Sequence, residues 1–284
     1  MMGAASINRI TIGYDDTGAG ENVLVLVHGH PFDRSMWRPQ VEEISSKGWR
    51  IIAPDLRGYG ESSVIPGKTT LDVFATDIAT LLNQLNIQEI VIGGLSMGGQ
   101  IVMEFCRLYP ERVRGVLLAA TFPRAETEEG KRNRAKMADR LLREGMETYA
   151  EEVLPKMVAP RNIAALPAVA EHVRSMMRVA HPAGAAAALR GRAERPDYES
   201  ALASLDVPAL VVVGDEDAFT TRTDAEQMHV LLRRSELVWM EGAGHIPNLE
   251  REVEFNAALG RFLDRVAATK APRIDLYGSS LPVS

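Results

Sequence analysis

The stretch Val23-Leu24-Val25-Leu26-Val27 is apolar at every position. A strand with one face in water alternates apolar and polar residues, so an unbroken run predicts a strand covered on both faces. Similar short runs recur at 50–54, 89–93, 113–120, 209–213 and 237–240. The segments between them have a different period. Leu71, Phe74, Ile78, Leu81, Leu82 and Leu85 repeat at helical spacing, and 97–109 reads as a second helix. Strands alternating with helices build βαβ units, which give an α/β fold with a parallel sheet between helices. One opening strand is predicted to hold Ile7, Ile10, Ile12 and Tyr14, followed by a turn over 15–22 that carries Gly18 and Gly20.

The alternation stops at about residue 122 and resumes after about 206. The segment between is rich in Ala, Met, Arg and Glu and lacks short β-branched runs. Pro155, Pro160, Pro167 and Pro182 cut it into about four predicted helices, inserted between two strands of the sheet. Its methionines (Met137, Met146, Met157, Met176 and Met177) read as core filler. Residues 124–196 carry 14 Lys or Arg against 10 Asp or Glu, whereas the whole chain has a formal net charge of −6. A basic insertion leaves room for a carboxylate on a substrate, while the overall charge disfavours a nucleic-acid partner. The single cysteine, Cys106, excludes an intrachain disulfide and a cysteine metal cluster. No apolar run approaches the roughly 18–20 residues of a membrane helix, so no membrane partner is expected. The first residues hold no signal-peptide core, and a cytoplasmic location is the expectation. Residues 269–284 show no periodicity and are assigned no function.

Gly94-Leu95-Ser96-Met97-Gly98 follows the predicted strand at 89–93 and opens the predicted helix at 97. That strand–turn–helix setting gives a G-x-S-x-G match its meaning, because a tight turn there projects the serine oxygen from the edge of the sheet. A serine hydroxyl is a poor nucleophile at neutral pH and needs a base, for which histidine titrates in the right range. His245 ends Glu241-Gly242-Ala243-Gly244-His245, a loop between a strand and the last helix. The base needs a carboxylate to fix its tautomer. Gly214-Asp215-Glu216-Asp217 follows another strand, and Asp217 is the choice because Asp215 and Glu216 lie nearer the strand; Asp215 is the alternative. The order Ser96, Asp217, His245 is the one this fold class uses. Two backbone N–H groups must face the developing oxyanion. Met97, after the nucleophile, supplies one, and His30 of His28-Gly29-His30-Pro31 supplies the other, with its side chain in reach of the pocket. His28 reads as a core histidine held by hydrogen bonds.

Together with Asp55-Leu56-Arg57-Gly58-Tyr59-Gly60-Glu61-Ser62, these motifs resemble the ordered motifs of the α/β-hydrolase superfamily over about residues 7–267. Within it the chain resembles small capped bacterial esterases, enol-lactone hydrolases and cofactor-free haloperoxidase-like esterases. The resemblance implies a mostly parallel eight-stranded sheet formed by 1–121 and 207–268, with 122–206 as a helical cap over the site. It implies hydrolysis of a small to medium carboxylic ester or lactone through an acyl-enzyme. No residues have metal-ligand spacing and no G-x-G-x-x-G follows the first strand, so no metal and no cofactor are expected. The same scaffold also serves C–C bond hydrolysis, peracid formation and ligand-binding receptors that retain the triad. Haloalkane dehalogenases and epoxide hydrolases are disfavoured, since they use an aspartate where Ser96 stands. Asp55 to Ser62 is given a structural role, turning the chain near the site. Relatives often carry proline where this chain has Glu252, which bears on the start of the last helix. Phe32, Phe122, Phe219 and Ile246 lie beside the oxyanion loop, at strand ends or next to His245, and are expected to line a mostly apolar substrate pocket.

Overall fold

The computed structural model describes residues 2–269, so the tail assigned to 269–284 lies outside them from residue 270. Eight strands form one sheet: β1 (Met2–Ile7), β2 (Ile10–Thr17), β3 (Val23–Val27), β4 (Arg50–Pro54), β5 (Ile90–Leu95), β6 (Val113–Ala119), β7 (Ala209–Gly214) and β8 (Ser235–Met240). Their order is β1-β2-β4-β3-β5-β6-β7-β8. The pairs β1–β2 and β2–β4 are antiparallel and the others parallel. The core helices are α1 (Arg38–Ser46), α2 (Leu71–Gln84) and α3 (Met97–Leu108). Between β6 and β7 come α4 (Glu128–Glu144), α5 (Glu147–Met157), α6 (Pro160–Ala165), α7 (Pro167–Val179), α8 (Pro182–Arg192) and α9 (Glu199–Ser204). The chain then adds α10 (Arg222–Leu231), α11 (Pro247–Glu250) and α12 (Glu252–Ala268).

The apolar run of β3 has the expected cause. Val23, Val25 and Val27 enter the core under α2 and α3, while Leu24 and Leu26 enter the opposite core under α1 and α12. β7 divides in the same way, with Val211 and Val213 on one side and Leu210 and Val212 on the other. The single opening strand is corrected to a hairpin. Asn8 and Arg9 form its two-residue turn, with φ of 45° and 65°, the left-handed pair that a tight hairpin requires. β2 also consumes the first part of the expected turn, because Asp15 and Thr17 pair with Ala53 and Ile51 of β4.

The insertion holds six helices rather than about four. Pro160, Pro167 and Pro182 do stand at helix starts, where a missing N–H costs nothing. Pro155 lies inside α5 and breaks nothing. The other boundaries come from residues such as Gly145, whose φ of 76° ends α4. α8 seats the insertion on the core. Its Gly184 packs backbone to backbone on Gly58, and its Ala187 carbonyl accepts from the Thr69 N–H at 3.0 Å. A Cβ on Gly184 would collide with the Gly58 carbonyl. We therefore expect Gly184→Ala to lower the unfolding free energy by at least about 2 kcal/mol, read as a fall in the urea midpoint. An unchanged midpoint would show that α8 does not rest on this contact.

Candidate active site

β5 ends at Leu95 and α3 starts at Met97. Ser96 makes the turn between them with φ 57° and ψ −117°, a backbone state that costs a non-glycine residue roughly 1–3 kcal/mol. Its surroundings enforce that state. The Ser96 N–H donates to the Ala119 carbonyl at 3.0 Å. The Ser96 carbonyl accepts from the Gln100 N–H at 3.1 Å and from the Thr121 hydroxyl at 2.8 Å. α3 crosses the end of β3 so closely that a Cβ on Gly98 would meet the carbonyl oxygens of Val27 and His28. Ser96 is buried in protein but lines a cavity of about 550 Å³ together with His245.

His245 and Asp217 arrive from neighbouring strand ends. His245 Nδ1 lies 2.9 and 3.0 Å from the two carboxylate oxygens of Asp217. Asp217 Oδ1 also accepts from the N–H groups of Phe219 and Thr220 at 2.8 and 3.1 Å. Asp215 is placed elsewhere, accepting from the Gly242 N–H at 2.6 Å, where it shapes the loop that carries the histidine. Burial alone would raise the Asp217 carboxyl, but His245 and the two N–H donors outweigh it and hold the group below the usual carboxylate range. The insertion grips the same loop: the His245 N–H donates to the Met157 carbonyl at 2.9 Å. Buried Glu250 accepts from Gly244 N–H, Ala159 N–H and the Asn162 amide at 2.7–2.8 Å. Burial raises its carboxyl above the usual value in spite of these donors.

The loop after β3 carries two histidines with separate duties. His28 is fully buried, with Nδ1 on the Gly29 carbonyl and Nε2 accepting from the Leu56 N–H, both at 2.9 Å. It is a core histidine. His30 lines the cavity, and its Nδ1 lies 2.7 Å from the Tyr59 hydroxyl. Met97 is the first residue of α3, so its N–H has no acceptor within the helix. The remainder of the 55–62 stretch is scaffolding. Asp55 accepts from the backbone N–H of Arg34 and of Glu61, each at 2.8 Å.

Two of the four expected pocket residues line the cavity. Phe219 packs against His245 with ring centroids 4.7 Å apart and planes inclined at 60°, and Phe122 lies under the guanidinium groups of Arg124 and Arg195. Phe32 and Ile246 are corrections. Both are essentially fully buried in the core on the α1 and α12 side of the sheet, and neither lines the cavity. The Phe32 N–H closes a tight turn onto the Gly29 carbonyl, which folds its ring back over the backbone. Met137 and Met157 reach the cavity, whereas Met146, Met176 and Met177 are core filler. Sequence reasoning missed Tyr149, Arg134 and Arg192, all on the cavity wall. The one signal for the two arginines was the positive charge of the insertion, which does not say which cations face inward, and Tyr149 had none. Among the described residues, no group of His, Cys, Asp and Glu is arranged to hold a metal, and no helix is long and apolar enough to cross a membrane.

A mostly parallel eight-stranded sheet, a strained serine between β5 and α3, and a helical insertion after β6 define an α/β hydrolase. The chain belongs to the α/β hydrolase fold family, which matches residues 22–252. It is similar to a thermophilic esterase from Thermogutta terrifontis, at 39% identity and a TM-score of 0.87 over 94% of this chain and 99% of that one. It is also similar to the enol-lactonase from Burkholderia xenovorans, at 28% identity and a TM-score of 0.85 over 92% and 100%. A 3-oxoadipate enol-lactonase of Acinetobacter baylyi is 27% identical over 92% of this chain and 94% of its own.

The depressed Asp217 carboxyl has a consequence for stability. The folded state binds that proton less tightly than the unfolded chain, whose aspartates titrate at about 3.9. The stability this supplies is full above the unfolded value and is lost as pH falls through the lower folded one. In urea titrations, the advantage of wild type over Asp217→Asn should thus be present above about pH 5 and shrink as pH falls toward about 3. An advantage that grows over that acid range contradicts the assignment.

Proposed function

We propose that the chain is a serine hydrolase that cleaves small to medium carboxylic esters or lactones through an acyl-enzyme. The observation that carries this reading is the pairing of a strained, cavity-facing Ser96 with a His245 whose Nδ1 is occupied by Asp217. With the proton on Nδ1, the lone pair at Nε2 is left to accept from serine. In this reading Ser96 Oγ attacks the acyl carbon and its proton passes to His245 Nε2. The N–H groups of Met97 and His30 receive the oxyanion. Collapse expels the alkoxide, which takes the proton from His245, and a water molecule then repeats the sequence on the acyl-enzyme. Asp217 stabilises the imidazolium at both stages.

The size and lining of the cavity favour a substrate of modest length. Its volume of about 550 Å³ falls within the range of small-molecule sites. Phe122, Phe219, Met137 and Met157 make much of its wall apolar, and methionine walls adapt to shape. The full-length likeness to an esterase and to enol-lactonases supports ester and lactone carbonyls as the target.

Ser96→Ala should lower kcat on the order of 10⁴–10⁶-fold with the fold intact. His245→Ala should match it, and the double variant should cost little more than either. More than about a tenth of wild-type activity remaining in Ser96→Ala would remove the serine from the mechanism. Across a panel of acyl lengths, kcat/KM should be highest for short acyl esters and lactones; a clear preference for long fatty acyl chains contradicts the cavity argument.

A further inference from the structure

Arg192 stands at the end of α8 on the cavity wall and is only part-buried, because its side chain opens onto that space. Its Nε donates to Gln100 Oε1 at 2.7 Å. Gln100 is fully buried one turn along α3 from Ser96, so the helix that presents the serine also fixes this guanidinium. The two Nη groups have no protein acceptor among the described residues, and no carboxylate lies within ion-pairing distance of them. The nearby carboxylate is spoken for. Glu126 Oε2 accepts from Arg134 and from Arg195 Nη1, the latter at 2.8 Å. Arg134 and Arg195 thus share that carboxylate, and Arg192 stands beside them on the cavity wall with none of its own. Burial and the charges of Arg134 and Arg195 lower the proton affinity of Arg192, and keeping such a cation without a counter-charge costs stability.

A second observation points the same way. His30 Nε2 is buried, without a hydrogen-bond partner, in a residue that lines this cavity. Burial, Arg192 and Arg134 hold His30 well below the usual histidine value, so the ring is neutral. The Tyr59 hydroxyl, itself held protonated by burial, can donate to Nδ1, and in that tautomer the ring's N–H lies at Nε2. In that tautomer both Arg192 and His30 carry donors without a protein acceptor beside the cavity among the described residues. Lys156 adds an exposed positive charge to the lining.

We propose that the substrate carries a carboxylate, received by the two Nη groups of Arg192 with His30 Nε2–H as a further donor, while its ester or lactone carbonyl lies at Ser96. A planar carboxylate matches the guanidinium fork in a way a single neutral acceptor does not. The inference rests on the hydrolase reading for the position of the carbonyl, but the anion site stands on its own geometry.

Two matched esters of adipic acid test it: the mono-p-nitrophenyl ester with its far carboxylate free, and the same ester with that carboxylate methylated. Wild type should prefer the free acid by at least about tenfold in kcat/KM, and the preference should shrink as salt rises. Arg192→Gln should cut that ratio at least about tenfold, and Arg192→Lys, which keeps the charge and loses the fork, should cut it less. A wild-type ratio near one, or the same ratio in Arg192→Gln, overturns the proposal. Should Arg192→Gln fail to fold, competition in wild type carries the test: adipate should inhibit at least about tenfold more tightly than dimethyl adipate, and equal inhibition overturns the proposal. If neither ester is turned over, the hydrolase reading falls, and calorimetric titration of adipate into wild type still decides the anion site. Saturable binding that dimethyl adipate does not reproduce supports it, and no binding overturns it.

Discussion

The left-handed backbone at Ser96 is the constraint around which the rest of the site is arranged. An L-residue holds φ 57° only when its neighbours leave no relaxed alternative. Here the alternatives are closed by α3 lying against the carbonyls of Val27 and His28, a contact that needs glycine at 98. β5 pairs in parallel between β3 and β6, so the serine at its end emerges at the carboxyl edge of the sheet. Because β7 and β8 continue that sheet in parallel, the loops after them open at the same edge. Asp217 and His245 meet there although 28 residues separate them.

The helical insertion completes the site. Its Met157 carbonyl holds the backbone of His245, and Glu250 ties Gly244 to Ala159 and Asn162. The loop of the candidate base and the α5–α6 junction are thus one hydrogen-bonded unit. On the opposite wall, α8 rests on core glycine and ends in Arg192, which reaches back to the serine helix through Gln100. Movement of α8 would therefore disturb the substrate wall and the nucleophile's helix together. This coupling gives a physical reason for a helix as small-faced as Gly184 to Ala188.

Strands such as β3 and β7 were legible because burial on both faces leaves an unbroken apolar run. The antiparallel edge was harder. The β1–β2 turn is Asn8-Arg9, without the glycine that usually marks it, so two strands read as one. The six helices of the insertion were undercounted because Pro155 sits inside a helix while Gly145 ends one. The candidate triad was legible because each member follows a strand within a few residues, in a glycine-rich turn with a local pattern. Phe32 and Ile246 carried the same positional signal, but tight turns fold them into the core. Arg192, and the contact between Tyr59 and His30, depend on how α8 and the 55–62 loop cross the sheet. No local spacing encodes such a crossing.

Covalent labelling tests the central claim most directly. A fluorophosphonate ester mimics the tetrahedral acyl-transfer state and becomes trapped on an activated serine. Peptide mapping of the labelled protein should find the adduct on Ser96. Labelling should be lost in Ser96→Ala and slowed by orders of magnitude in His245→Ala. An adduct on another residue, or unchanged labelling in His245→Ala, would contradict the account of Ser96 as a nucleophile activated by His245.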